Sequence, residues 1–240
     1  MKYESGTVYN EFVVTFLIQA LLPVYICVSF FLYAYKFWSE YKETRNNIAK
    51  FLAYSFWVAS LSFLVVAFAI IIFSSNMRYL SIATNIFWVL DFIAVAFVWW
   101  AAQYVFVRLP MRLLLGLLLL GEVFLIVNNT VSFIPTVVGK DGLIVLPAHP
   151  LTYHLGNIIT IVTLASVGVV FILKTMRKKM VLKGTVLGVG LIMTVLFLSA
   201  AYTLENLTGY LAFGFLGAVG LLLFTIGLYF FPEAGKDKIS

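Results

Sequence analysis

The chain has 240 residues, of which 63% are hydrophobic and only 11% charged, and its mean hydropathy is +1.05. A soluble domain carries roughly a quarter charged residues, so a water-soluble core cannot absorb this composition. The formal net charge of +6 does not indicate nucleic acid, because the basic residues gather between apolar runs, where anionic lipid headgroups attract each by about 1 kcal/mol.

Seven apolar runs lie near 12–35, 51–74, 79–106, 110–129, 152–173, 184–204 and 207–231. Each is about long enough to cross a ~30 Å hydrocarbon core at ~1.5 Å per residue. The expected fold is therefore an all-α membrane protein, a single seven-transmembrane helix bundle over residues 1–240 with no domain boundary. Threaded in order, thirteen of the sixteen Lys and Arg residues fall on one side, and only Lys2, Arg78 and Lys140 fall on the other. The positive-inside rule then puts the N-terminus outside and the C-terminus in the cytoplasm of a multi-pass plasma-membrane protein.

The N-terminal stretch MKYESGTVYNEF has acids beside its single Lys, and the run after it is too long for a signal-peptide core. The first run thus reads as a retained helix that begins outside near Glu11. The single cysteine, Cys27, lies within it, which excludes an intrachain disulfide or a Cys-based metal cluster and leaves a small buried apolar residue. The next segment, KFWSEYKETRNNIAK, is the longest polar stretch and reads as a cytoplasmic loop with interfacial Trp38 and Tyr41. The connections at Ser74–Arg78 and Glu205–Asn206 are short enough to make the runs they join antiparallel neighbours. Pro110 suits the start of the fourth helix, where its missing N–H has no consequence.

Between the fourth and fifth runs the chain reads NNTVSFIPTVVGKDGLIVLPAHPL. Two β-prone stretches around Gly139-Lys140-Asp141-Gly142 predict a short extracellular β-hairpin lid, the alternative being a loop whose apolar residues lie on the bilayer. Glycines concentrate in the sixth run (Gly184, Gly188, Gly190) and the seventh (Gly209, Gly214, Gly217, Gly220). Small residues at this spacing let helices approach closely, and they also permit sliding during a conformational change. The sequons at Asn128 and Asn206 both fall on the expected outer face, against the membrane edge.

Asp91 and Glu122 carry the sharpest functional signal. A charged, unpaired acid at a helix centre costs about 2.5–3.5 kcal/mol, and no Lys or Arg lies in the middle of any run. Each acid must therefore be protonated, water-solvated or bound to something. Their helices are antiparallel and their depths agree to roughly two turns, so they are expected to share a proton, cation or amine site; the alternative is that each hydrogen-bonds a neighbouring helix as packing glue. Gln19, Asn85, His154, Asn157, Tyr202 and Glu205 lie in the outer half and are candidates to line the same cavity, with Trp57 and Trp88 as aromatic walls. His149, His154 and Glu205 offer zinc-type ligands but no close helical His pair, so no metal site is expected.

No catalytic constellation is present. The seventh run has no Schiff-base Lys, Asp91 has no second helical aspartate for intramembrane proteolysis, and His-Glu-x-x-His and Gly-x-Ser-x-Gly are both absent. No enzyme activity and no cofactor are expected.

Three segments carry a family resemblance. They are VWWAAQYVFVRLPMR (Val98 to Arg112), an aromatic helix end before a basic corner; HPLTYHLGNII after the hairpin-like loop; and MRKKMVLKGTVLGVG (Met176 to Gly190), a basic turn into the sixth run. With the N-out seven-helix layout, the chain resembles the N-terminal seven-transmembrane sensor region of bacterial and archaeal histidine kinases. The resemblance implies an outward-facing bundle that binds a small ligand and passes a helix movement to a cytoplasmic module. Only PEAGKDKIS follows Phe231, so signalling is expected to pass through a cytoplasmic partner protein. A second reading is a proton- or cation-coupled transporter or channel using Asp91 and Glu122, and a third is a membrane subunit whose acids contact partner helices.

Overall fold

The computed structural model describes residues 5–73, 76–104, 116, 120–121, 123–124, 127–128, 131, 137–138, 143–145, 150–176, 181–203 and 206–230. Six long helices are described: α1 (Ser5–Thr44), α2 (Asn47–Phe73), α3 (Met77–Gln103), α4 (Pro150–Met176), α5 (Val181–Thr203) and α6 (Leu207–Tyr229). Those residues of the fourth run that are described, Gly116 and Leu120 among them, are helical; Pro110 and Glu122 lie outside the described residues. Five of the described helices are long and apolar enough to cross a membrane, with spans at Leu17–Thr44, Asn47–Ile72, Arg78–Ala101, Leu182–Ala200 and Leu207–Tyr229. The chain is a helical, multi-pass integral membrane protein.

Its burial pattern differs from that of a soluble bundle in the exterior, which is apolar, and in the small and hydroxyl residues that join the apolar core. Along α1, Leu17, Leu21, Val24, Val28, Phe31 and Tyr35 form an exposed stripe at helical spacing, while Gln19, Ala20, Ser29, Tyr33 and Ala34 face inward. In α2 the exposed positions are Leu61, Leu64, Phe68 and Ile71, and the buried ones include Ser55, Ala59, Ser62 and Ala69. Lipid solvates an apolar exterior as well as a core would, so small and hydroxyl residues inside give the closer helix packing. The interior hydroxyls satisfy themselves on backbone carbonyls, as Ser62 does on Ala59 O (2.7 Å) and Thr84 on Leu80 O (2.9 Å).

The expected cytoplasmic loop after the first run is mostly helix. The first helix extends to Thr44 and the second starts at Asn47, so only Arg45 and Asn46 connect them. The turn is chemically explicit. Arg45 takes a left-handed φ of 54° and its N–H bonds Tyr41 O at 2.8 Å, which closes α1. The Asn46 side chain then accepts from Ile48 N at 3.0 Å and opens α2. Asparagine repeats this role at Asn76 before α3 and at Asn206 before α6, where Oδ1 accepts from Gly209 N at 2.7 Å. The sequon asparagine Asn206 thus has a structural use as a cap. Near this first turn, Trp38, Tyr41, Tyr54 and Trp57 cluster, and Lys50 Nζ lies 5.6 Å from the Tyr41 ring and 5.8 Å from that of Tyr54, a cation–aromatic arrangement suited to a membrane interface.

Consecutive helices pack in sequence, and α6 returns to α1, so the six described helices close a ring. Packing within it is uneven. The triplet α1–α2–α3 and the triplet α4–α5–α6 are each extensively packed, whereas the seams α3–α4 and α1–α6 are sparser. Glycines explain the second triplet. A Cβ on Gly190 would lie 2.6 Å from Phe224 N, and one on Gly220 would lie 2.6 Å from Thr194 N, so α5 and α6 meet backbone to backbone there. Gly188 instead faces Gly168 on α4, so the glycines of the sixth run serve both flanking helices and not only the seventh. Tyrosines close the α1–α6 seam: Tyr33 Oη donates to Leu221 O at 2.7 Å, and Tyr229 Oη donates to Leu32 O at 2.8 Å.

Candidate functional site

Phe87, Trp88 and Asp91 stand one turn apart on α3, the i, i+4 and i+3 spacings that share a helix face. That face borders a cavity of about 100 Å³ lined by α1, α2, α3, α4 and α5. Its polar lining is Ser55 on α2, Asp91 on α3, Thr160 on α4, and Thr194 and Ser199 on α5. Its aromatic lining is a continuous chain of rings in which Phe56 meets Phe30 at 5.4 Å, Phe30 meets Phe63 at 5.7 Å, Phe63 meets Phe87 at 5.3 Å and Phe87 meets Trp88 at 5.3 Å. The last three of these contacts are edge-to-face, the geometry that the ring quadrupoles favour.

The hydroxyls of the lining are partly committed. Ser55 Oγ donates to Ala94 O at 2.8 Å and Thr194 Oγ1 donates to Gly190 O at 2.8 Å. A hydroxyl whose proton is spent on a carbonyl has only lone pairs left to offer. Among the described residues, none hydrogen-bonds or ion-pairs with the Asp91 carboxyl. The cavity therefore combines an acid, two hydroxyls committed to carbonyls, the further hydroxyls of Thr160 and Ser199, the Trp88 indole N–H and aromatic rings, with the triplet α1–α2–α3 and the pair α4–α5 supplying its walls. No group of three or more His, Cys, Asp or Glu residues suited to a metal occurs among the described residues.

Of the residues singled out from sequence, Asp91 and Trp88 line this cavity, whereas Trp57 packs with Trp38 and Tyr54. Asn85 does not line it; it is half-buried and donates to Ser81 O of its own helix at 3.0 Å. His154 is exposed on the first turns of α4. Asn157 and Tyr202 belong to α4 and α5, but their side chains lie outside the described residues, as do Glu122 and Glu205 altogether.

Gln19 has a different place. It is 2% exposed, its Nε2 donates to Ile144 O at 2.6 Å, and its Oε1 accepts from Ile144 N at 2.9 Å. Ile144 belongs to a two-residue strand, β2 (Ile144–Val145), paired antiparallel with β1 (Val137–Val138) in the register Val137↔Val145 and Val138↔Ile144. The Gln19 amide thus stands where a third strand would, bonding both backbone groups of one residue. Tyr210 Oη donates to Gln19 O at 3.0 Å, and Leu143 packs with Tyr210, Leu22 and Leu207. Leu143 and Ile144 are thus anchored on α1 and α6. Sequence reasoning missed Ser55, Thr160, Thr194 and Ser199; the signal was present as hydroxyl residues opposite an apolar helical stripe.

Comparison with protein families, with curated proteins and with solved structures finds no match to this chain.

Proposed function

We propose that the protein is a seven-helix sensor of receptor type, N-terminus outside and C-terminus cytoplasmic in the plasma membrane, that binds a small ligand in the Asp91 cavity. The observation that carries this reading is a cavity between the helices holding an acid with no described partner, at the junction of two well-packed helix triplets. A ligand there touches both triplets, and it shifts the bundle by as much as its contacts differ between two arrangements of them. The β1–β2 segment acts as an outer cover held by Gln19, and the movement passes to a cytoplasmic partner through the basic inner turns. The resemblance to the sensor regions of histidine kinases supports the same role.

The two-triplet arrangement also favours a second reading, proton- or cation-coupled transport through the seam with Asp91 and Glu122 as carriers. Three-plus-one-plus-three layouts with a central site are one route to alternating access. Proteoliposomes under an imposed proton gradient separate the two. The sensor reading expects no flux from the wild type, together with a ligand-dependent thermal shift that Asp91→Asn removes. Proton or cation flux abolished by both Asp91→Asn and Glu122→Gln would replace it with the transporter.

A further inference from the structure

The chemistry of the cavity wall specifies a class of ligand, and this step rests on the reading of the Asp91 cavity as the ligand site. We infer that the cavity takes a small organic ammonium, a protonated primary amine of about four non-hydrogen atoms.

Hydrogen-bond polarity is the first argument. Asp91 offers a carboxyl, and Ser55 and Thr194 have committed their protons to Ala94 O and Gly190 O. What these three groups present is acceptor capacity, and an ammonium has three donors and no acceptor. The other polar groups of the lining, the Trp88 indole N–H and the Thr160 and Ser199 hydroxyls, are neutral donors, so an anion would lie beside the Asp91 carboxyl with no cationic partner. Charge is the second argument: among the described lining residues Asp91 alone is ionisable, so a monocation restores neutrality in a site that water cannot fully solvate. The aromatic chain from Phe56 to Trp88 supplies the third. Ring faces attract an organic cation, most strongly when it is desolvated, whereas a bare metal cation wants a full shell of oxygen ligands, and most of this wall is carbon. Size is the fourth. A cavity of ~150 Å³ holds benzene, so about 100 Å³ admits a somewhat smaller guest.

The test uses the full chain in detergent, with isopropylammonium exchanged for sodium at constant ionic strength and binding read by calorimetry and thermal shift. Propan-2-ol is the neutral probe, tetramethylammonium the cation without N–H donors, acetate the anion, and sodium and potassium the metal cations. Isopropylammonium should bind about ten- to a hundredfold more tightly than propan-2-ol, the ratio expected for hydrogen bonds to a charged group. Tetramethylammonium should fall between them. Asp91→Asn should remove the preference while the protein stays monodisperse and melts cooperatively, and Ala59→Leu, which fills the cavity and leaves the acid in place, should abolish binding. Equal binding of propan-2-ol and isopropylammonium, an unchanged response in Asp91→Asn, or Asp91-dependent binding of sodium or potassium alone would each overturn the ammonium assignment. The cavity would still stand as the ligand site if Ala59→Leu blocked whatever bound. Ammonium binding that survives Ala59→Leu, or binding of none of the probes, would remove both the assignment and the reading beneath it.

Discussion

Replacing Gln19 by methionine tests how the β1–β2 segment is held. Methionine keeps nearly the volume and length of glutamine, so packing against Leu143 and Tyr210 survives while both bonds to Ile144 are lost. Ile144 is 2% exposed, so its N–H and C=O lose their Gln19 partners where water reaches them poorly. Each buried orphan costs about 1–3 kcal/mol, and two give about 2–6 kcal/mol. The added apolar burial of methionine returns roughly 1 kcal/mol, leaving a net loss of about 1–5 kcal/mol. This loss is local to the segment, so amide exchange is the direct measurement. Protection at Ile144 should fall by about fivefold to a few thousand-fold at ~1.4 kcal/mol per decade, while amides in the middle of α2 change little. Protection at Ile144 within threefold of wild type would mean that the Gln19 amide does not hold the segment, and the anchoring argument would be wrong.

Arg45→Gly should stabilise the protein by about 0.5–1 kcal/mol, because Arg45 sits at a φ of 54° that glycine adopts without penalty; a lower midpoint in denaturant would contradict the turn geometry. Gly220→Ala should destabilise by about 1–3 kcal/mol, since its Cβ would meet the Thr194 and Gly190 backbones, which cannot yield cheaply. Gly116→Ala, with nothing within 4 Å, should be neutral or stabilising, and equal thermal shifts for the two would refute the backbone-contact account of α5–α6. Tyr33→Phe should cost only about 0.5–1.5 kcal/mol, because Leu221 O keeps a bond from Thr225 Oγ1 at 2.9 Å; a much larger loss in melting experiments would point to a network wider than the α1–α6 seam.

Hydropathy and charge made the membrane class and the helix content legible, because both follow from local composition. The long polar segment after the first run misled for a physical reason. Hydropathy marks where hydrocarbon ends, not where a helix ends, and α1 continues through Trp38 and Tyr41 until Arg45 turns left-handed. Gln19 was legible as an inward polar residue, but its partner lies 125 positions away, and no local pattern shows a pairing at that distance. Asp91 was visible as an acid in an apolar run. Its cavity was not, since the walls come from five helices and the hydroxyl residues among them look like ordinary packing residues until the exposed stripe of each helix is known.

The distribution of tight and loose seams gives the strongest physical link between this fold and a change of state. Gly190 against Gly220 and Gly188 against Gly168 leave α4, α5 and α6 no slack to slide past one another, so the glycines of the sixth and seventh runs are better suited to a rigid unit than to a moving element. Among the described helices the sparser seams are α3–α4 and α1–α6, and a second groove of about 280 Å³ opens between Leu21, Tyr25 and Phe215 on the α1–α6 side. Tyr33, Tyr210 and Tyr229 bridge that second seam with hydrogen bonds of 2.7–3.0 Å, each worth only about 1 kcal/mol net, which makes it a hinge more readily than a weld. The Asp91 cavity borders the opposite seam, with α3 on one side and α4 and α5 on the other. Under the proposed sensor function, a ligand that drew those walls together would rock one triplet on the other about the tyrosine seam, which the β1–β2 segment, tied to α1 by Gln19 and packed on α6 through Tyr210, straddles.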